Sequence, residues 1–396
     1  MSGAPIYLDY AATTPVDARV AAAMQECLTE QGVYANPSSQ HALGRRAHAC
    51  VEQAREQVAA LLHCRAAELI FTSGATESNN LAILGTARAA GESAGSGRAA
   101  RAGRVPHVVT ARSEHKSVLD PCRRLEQEGC AVTYLNPDAD GLIDPQAVRA
   151  ALRDDTVLVS IMHANNEIGV VQDIGAIGAL CRERGVPLHV DAAQSAGKLE
   201  LDVARLQAEL VCVTAHKLYG PKGIGALYVA PERRACLQPL LYGGGHERGL
   251  RAGTLPVHQI VGFGLACTLA AAELALEAER LARLRARLWQ QLSGLDGVLL
   301  NGHPTRRLPG VLNVSFAGVE GESLLAGLPE IAVSTGSACN SDSDEPSYVL
   351  RALGRDTQLA QSSLRFSLGR GTREQHVDIA AAAVARELRR LRAVAP

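Results

Sequence analysis

Residues 212–225 read CVTAHKLYGPKGIG. Apolar residues run into Thr214, Ala215 and His216. Lys217 follows, and a turn punctuated by Gly220, Pro221 and Gly223 leads to the strand-like ALYV of residues 226–229. The chain carries 40 lysines and arginines, yet only Lys116, Lys198, Lys217 and Lys222 are lysines. Arginine does not give up its proton, so a chain that otherwise prefers it points to lysine where an amine must titrate. Taken alone, Lys217 reads as an ordinary loop cation. The stretches around it decide the matter.

Strand candidates at 105–110, 131–135 and 157–162 alternate with helical patterns, as do 68–72, 188–190 and 210–213. Such alternation predicts an α/β fold with a mainly parallel sheet, whose sites form beyond the carboxyl ends of the strands. The strand tops here are chemically useful. Residues 71–80, FTSGATESNN, run from a strand through Ser73, Gly74, Ala75 and Thr76 into a helical pattern. Small residues at such a turn leave backbone N–H groups free to take an anion, although a plain N-cap by Ser73 or Thr76 would look the same. Other tops carry Ser113-Glu114-His115-Lys116, His163-Ala164-Asn165-Asn166-Glu167, Asp191-Ala192-Ala193-Gln194 and Thr214-Ala215-His216-Lys217. So many on one sheet predict a site.

Outside that sheet the reading is coarser. Residues 6–10 are strand-like, 17–29 and 41–62 helical, and 34–39 (YANPSS) a loop. Residues 91–104, GESAGSGRAARAGR, read as a low-complexity surface insertion. A long helical stretch over 259–295 leads to a smaller domain with strands at 311–316 and 364–368 and a closing amphipathic helix over 374–394.

Composition narrows the function. The 396 residues carry a net charge of -1, which gives no general attraction to nucleic acid or anionic membrane. No apolar run is expected to span a bilayer and the first ten residues lack an apolar signal core, so a cytoplasmic protein without a membrane partner is expected. The ten cysteines show no CxxC pair or Cys/His metal spacing, so neither a metal site nor a disulfide framework is indicated. Cys339 stands apart, in the polar Gly/Ser-rich run STGSACNSDS of residues 334–343, which reads as an exposed loop.

A lysine amine, an aspartate, a histidine and an anion cradle fit one cofactor well, pyridoxal 5′-phosphate. The lysine condenses with its aldehyde, the aspartate keeps its ring nitrogen protonated, and a flat histidine stacks on the ring. Over nearly its whole length the chain also resembles cysteine desulfurases of the NifS/IscS type, in the fold-type I, class V aminotransferase group. The ordered blocks are YLDYAATTPVD, NPSS, FTSGATESNN, SEHKSVLDP, MHANNEIGVVQDI, HVDAAQSAGK, AHKLYGPKGIGALYV, GGGHERGLRAGT, STGSACNS, EPSYVLRALG and SLRFSLGR.

The resemblance implies a large domain with a seven-stranded, mainly parallel sheet, over residues 16–262, and a smaller α+β domain from residues 1–15 and 263–396. It implies that Lys217 is the Schiff-base lysine, that His115 stacks on the ring and moves protons, and that Asp191 pairs with the ring nitrogen. Asn166 and Gln194 would reach the ring substituents, while Ala75, Thr76, Thr214 and His216 would hold the phosphate. Thr254 would come from the partner subunit of a homodimer. Arg365, Asn36 and Asn166 would bind L-cysteine, Arg365 through a bidentate fork. Cys339 would be the nucleophile that takes the sulfur as a persulfide, leaving alanine, and passes it to a scaffold or sulfur-relay protein. Two rivals share most of these motifs, a selenocysteine lyase and a class V aminotransferase with no need of Cys339. A non-catalytic scaffold is argued against by the intact Lys217, His115, Asp191, Cys339 and Arg365. The chain stops at Pro396 soon after its last helix, where housekeeping members carry a tail that helps dock the iron–sulfur scaffold. That partnership is therefore the weaker expectation.

Overall fold

The computed structural model describes residues 4–95, 105–335 and 345–394. Its strands are β1 (Ile6–Tyr7), β2 (Leu69–Thr72), β3 (His107–Ala111), β4 (Ala131–Leu135), β5 (Thr156–Met162), β6 (Leu188–Asp191), β7 (Leu210–Thr214), β8 (Gly225–Val229), β9 (Val298–Leu300), β10 (Val311–Phe316), β11 (Ile331–Ala332) and β12 (Ser363–Ser367). Seven of them form the central sheet in the order β2-β8-β7-β6-β5-β3-β4. All run in one direction except β8, which is antiparallel to β2 and β7. The α/β expectation holds, and so does the seven-stranded, mainly parallel sheet.

The sheet is apolar on both faces because helices cover both. Along β7, Leu210 and Cys212 join the core under helix Ala75–Gly95, while Val211 and Val213 join the core under helices Ala42–Leu62 and Val257–Ser293. This alternation is the two-residue period of a strand buried on both sides. The smaller unit has the antiparallel sheet β12-β10-β9 and the parallel pair β1-β11. Its core gathers Leu8, Phe316, Phe366 and Leu288 with Val384 of helix Glu374–Val394.

Helix Val257–Ser293 serves both cores. Ile260, Phe263, Cys267 and Ala270 pack into the larger, and Leu281, Leu284, Leu288 and Leu292 into the smaller. Its 37 residues extend about 55 Å. This helix also corrects an expectation. By length and composition it is apolar enough to cross a bilayer, because Ala, Gly and Leu fill it where only a connector was foreseen.

Element ends differ more than element types. The first helix is Ala18–Gln25, capped by Asp17, and stops short of residue 29. The chain doubles back there, and a Cβ on Gly32 would fall 1.6 Å from the Glu26 carbonyl oxygen. Residues 91–95 complete helix Ala75–Gly95 instead of opening a loop, and 96–104 lie outside the described residues. Strand β9 and the helices Gly321–Ala326, Tyr348–Ala352 and Thr357–Gln361 were not foreseen, since three to six residues carry too little periodicity.

Candidate active site

The carboxyl ends of β2, β3, β5, β6 and β7 open onto a cleft of about 560 Å³ that Arg365 of β12 faces from the smaller sheet. Lys217 closes the 3₁₀ turn Ala215–Lys217 directly after β7. The turn is tight. Tyr219 has φ 65°, and a Cβ on Gly220 would sit 2.8 Å from that of Ala215. Left-handed backbone at a tyrosine is costly and persists only when its surroundings hold it. Here the Thr14 hydroxyl accepts the Tyr219 N–H at 2.8 Å. The Lys217 amine is thereby aimed at the N-terminal segment, where it donates to the carbonyls of Ala11 (2.6 Å) and Ala12 (2.7 Å).

Asp191 ends β6 and is buried. Its Oδ2 accepts from Asn79 Nδ2 at 2.7 Å and its Oδ1 from the Ala193 N–H at 2.9 Å. Asn79 also donates to Ser117 Oγ at 2.9 Å, and that oxygen lies 2.8 Å from His115 Nδ1. His115 caps helix Lys116–Gln127, its Nδ1 accepting the Ser117 N–H at 3.1 Å, so the neutral ring carries its proton on Nε2. Burial lowers its proton affinity, Asp191 opposes this and Lys217 reinforces it. A hydrogen-bonded chain thus runs from His115 through Ser117 and Asn79 to Asp191, and fixes the imidazole and the carboxylate against turning.

The opposite end of the cleft is built for an anion. Gly74 has φ 146°, and the added Cβ of Gly225 would lie 2.8 Å from Gly74 Cα, so both positions need glycine. Beyond that turn starts the 21-residue helix Ala75–Gly95, whose first N–H groups have no partner within the helix. Thr76, Thr214 and His216 line the same end with Lys222. Burial lowers His216 to about 4, and Lys217, Lys222 and Lys198 add to the effect, so near neutral pH it presents an uncharged ring. Glu77 in the first helical turn is kept off the anion position by Ser73 N–H (2.6 Å) and Arg251 Nε (3.0 Å).

Arg365 is 3 % exposed. Its Nη1 donates to the Asn166 carbonyl at 2.8 Å, and its Nη2 to Asp9 Oδ1 at 2.6 Å and Ser334 Oγ at 3.3 Å. Its Nε and the Asn166 Oδ1 are buried with no hydrogen-bond partner. Buried polar atoms are rarely left so, and two that border one cleft mark places for a ligand. With the anion cradle, the aspartate under the sheet edge and the amine, this donor set fits pyridoxal phosphate.

Of the residues singled out in the sequence, Ala75, Thr76, His115, Asn166, Asp191, Gln194, Thr214, His216, Lys217 and Arg365 meet in this cleft. Asn36 and Thr254 do not. Asn36 is exposed and its Oδ1 accepts the Ser38 N–H at 2.9 Å, which makes it a turn cap in this chain. Thr254 is exposed on the loop that follows Arg251. Cys339 lies outside the described residues. Three contributors escaped the sequence reading: Asn79, Ser117 and the carbonyls of Ala11 and Ala12. No sequence signal marked Asn79, a fully buried amide on helix Ala75–Gly95 whose use depends on Asp191.

Known proteins agree with this geometry. A model of the aminotransferase class-V family matches residues 6–379. The chain is 54% identical over 393 residues to "Cysteine desulfurase IscS" of Aeromonas salmonicida, covering 99% of this chain and 95% of that one. The protein of the same name from Pseudomonas aeruginosa is similar to the same degree and coverage. Among solved structures, one titled "NIFS-LIKE PROTEIN" superposes with a TM-score of 0.88 at 34% identity, covering 98% of this chain and 100% of the other. Another, "SspA in complex with cysteine", gives 0.80 at 38% identity over 92% and 99%. The chain belongs to the aminotransferase class-V family.

Proposed function

We propose that this chain is a pyridoxal-phosphate-dependent cysteine desulfurase, which converts L-cysteine to L-alanine and moves the sulfur to its own Cys339. One observation carries the reading. A lysine amine, a paired aspartate, a capped histidine and a buried arginine converge on one cleft, in a chain 54% identical over 99% of its length to a cysteine desulfurase. When bound, the cofactor supplies an electron sink for the carbon that bears the substrate amine.

The chain's own residues do the rest. Lys217 would hold the cofactor, and its amine, when free, is placed to take the substrate α-proton. Asp191 would pair with the ring nitrogen, its two oxygens already ordered by Asn79 and Ala193. His115, neutral with its proton on Nε2, would stack on the ring and relay protons. The N-terminal turn of helix Ala75–Gly95, with Thr76, Thr214 and His216, takes the phosphate. Asn166 and Gln194 meet the ring substituents. Arg365 takes the substrate carboxylate, its unpaired Nε completing a fork. Cys339 is assigned from its sequence position as the sulfur-receiving thiol. Its thiolate bonds to the substrate sulfur, the carbon–sulfur bond breaks, and the electron pair stays with the substrate carbon, which is protonated on the way to alanine.

The same reading includes a homodimer in which Thr254 serves the partner's cleft. Thr254 is exposed and away from its own cleft, and the nearby Leu241 (47 %) and Tyr242 (75 %) expose apolar surface. It also divides the chain into residues 16–262 and a smaller domain of 1–15 with 263–396; Leu8 packs into the smaller core in support, while Phe263, Cys267 and Ala270 still pack into the larger. The acceptor is a scaffold or sulfur-relay protein. The test is direct: purified protein with L-cysteine and a reductant should release alanine and sulfide in equal amounts. Cys339→Ser should abolish the protein-bound persulfide. Alanine and sulfide formation that survives Cys339→Ser unchanged would overturn the sulfur route.

A further inference from the structure

Lys198 is one of only four lysines in the chain, and the proposed function gives it no role. It follows β6 in the turn that returns from Asp191. Its Nζ donates to Gln194 Oε1 at 3.1 Å. Gln194 Nε2 donates in turn to the Ala11 carbonyl at 2.9 Å, and that carbonyl also accepts from Lys217 Nζ at 2.6 Å. Two lysine amines are therefore joined through one amide and one carbonyl. Both also line a second cavity, of about 30 Å³, behind the cleft and between the two cores. That space is large enough for about one or two waters.

The charged groups around Lys198 come from three elements. Lys217 and His216 face it from the turn after β7, Glu277 from helix Val257–Ser293 and Arg365 from β12, while Tyr10, Tyr219 and Arg370 complete the cavity wall. The Lys198 amine is lowered to about 7, chiefly by burial and next by Lys217, against the opposing pull of Glu277 and with a smaller push down from Arg365. The repulsion is mutual, so a proton on either amine disfavours one on the other.

We propose that Lys198 is a positioning residue for Lys217: tethered through Gln194 and the Ala11 carbonyl, it aims the Lys217 amine and sets a second cationic centre behind it that disfavours a proton there. This rests on Lys217 being the cofactor-bearing lysine. An arginine at 198 would supply the charge permanently, whereas a lysine can release its proton when Lys217 gains one. Neighbouring ammonium groups in a partly buried site shift one another by about one pH unit.

The holoenzyme and its Lys198→Met, Lys198→Gln and Lys198→Arg variants test this. Each is titrated by following the visible absorption band of the bound cofactor. Each is also treated with borohydride and mapped by mass spectrometry to find the lysine on which the cofactor is fixed. The cofactor should map to Lys217 in all four. The band midpoint should rise by about one pH unit in the Met and Gln variants and stay low with Arg, which keeps the charge. Lys198→Gln retains an amide able to reach Gln194, so it separates charge from tether and carries the test if the Met variant fails to fold. An unmoved midpoint in Met and Gln, with the cofactor on Lys217, overturns the role of Lys198 and leaves Lys217 intact. Cofactor fixed on another lysine overturns the reading of Lys217, and this proposal with it.

Discussion

The two walls of the cleft are held in different ways. On the sheet wall, Asp191 and His115 stand at the ends of β6 and β3, tied to each other through Asn79 and Ser117 inside the larger unit. On the facing wall, Arg365 belongs to the smaller sheet, and its guanidinium bonds to Asp9, Ser334 and the Asn166 carbonyl, groups far from it and from one another in the chain. The first wall needs only strand ends in register. The second exists only while the two sheets are docked. The groups proposed to handle the cofactor ring are thus on the rigid element, and the proposed grip of Arg365 on the substrate carboxylate depends on the docking.

Substitutions on each wall should therefore fail differently. Lys217→Ala should lower alanine formation from L-cysteine by at least about 10³-fold, the scale of losing a proton-transfer group and covalent anchor together. A variant that keeps a tenth of the activity would remove the sheet wall from the chemistry. Arg365→Lys keeps the charge and loses the planar fork. It should raise KM for L-cysteine about 10- to 100-fold, equivalent to about 1.5–3 kcal/mol, with a smaller change in kcat. Equal losses in both would mean that Arg365 acts on the reacting atoms. Asn79→Ala should do the reverse, weakening cofactor retention about tenfold while leaving that KM unchanged. Loss of absorbance on dialysis reads it.

The smallest effect concerns the docking itself. Glu167, in the loop after β5, is fully buried and accepts from the Ser347 hydroxyl, while Asn313 Nδ2 donates to its carbonyl at 3.2 Å. Burial raises its carboxyl from 4.5 to about 7, against the pull of Ser347 and Arg365. The folded chain then binds more protons than the unfolded one between those values, so stability falls as pH rises from about 4.5 to about 7. Glu167→Gln should remove this slope, with Tm close to wild type at pH 5 and about 2–4 °C above it at pH 8. A constant difference across that range would show that Glu167 does not titrate in the fold.

Legibility in the sequence follows the same division. The strand tops could be read because a parallel sheet forces its loops to one edge, and Asp191, His115 and Lys217 each lie at or within four residues of a strand's end. Their assignment to particular roles came from the resemblance and not from spacing. Asn79 was hidden because its purpose depends on Asp191, 112 residues away. Ala11 and Ala12 act through backbone carbonyls, which no side-chain pattern reveals. Asn36 misled because an Asn-Pro pair suits a turn as well as a site, and within this chain it caps a turn. Helix Val257–Ser293 was placed within two residues at either end, yet its membership of both cores appears only when Phe263 and Leu288 are seen to pack apart.

The clasp between the beginning and the end of the chain has a consequence during synthesis. Leu8 N–H reaches the Ala332 carbonyl at 2.9 Å, Ser367 N–H reaches the Leu8 carbonyl at 2.7 Å, and the Ser367 hydroxyl accepts Ala11 N–H at 2.8 Å. The carbonyls that aim Lys217 are thus held by residues the ribosome adds last. At about 5–20 residues per second, the segment that carries them waits roughly 20–70 s for its partner strand. A nascent chain can finish its central sheet and still have no correctly aimed amine. A truncated chain that lacks β12 should leave the ribosome with its central sheet formed, half a cleft and an idle lysine.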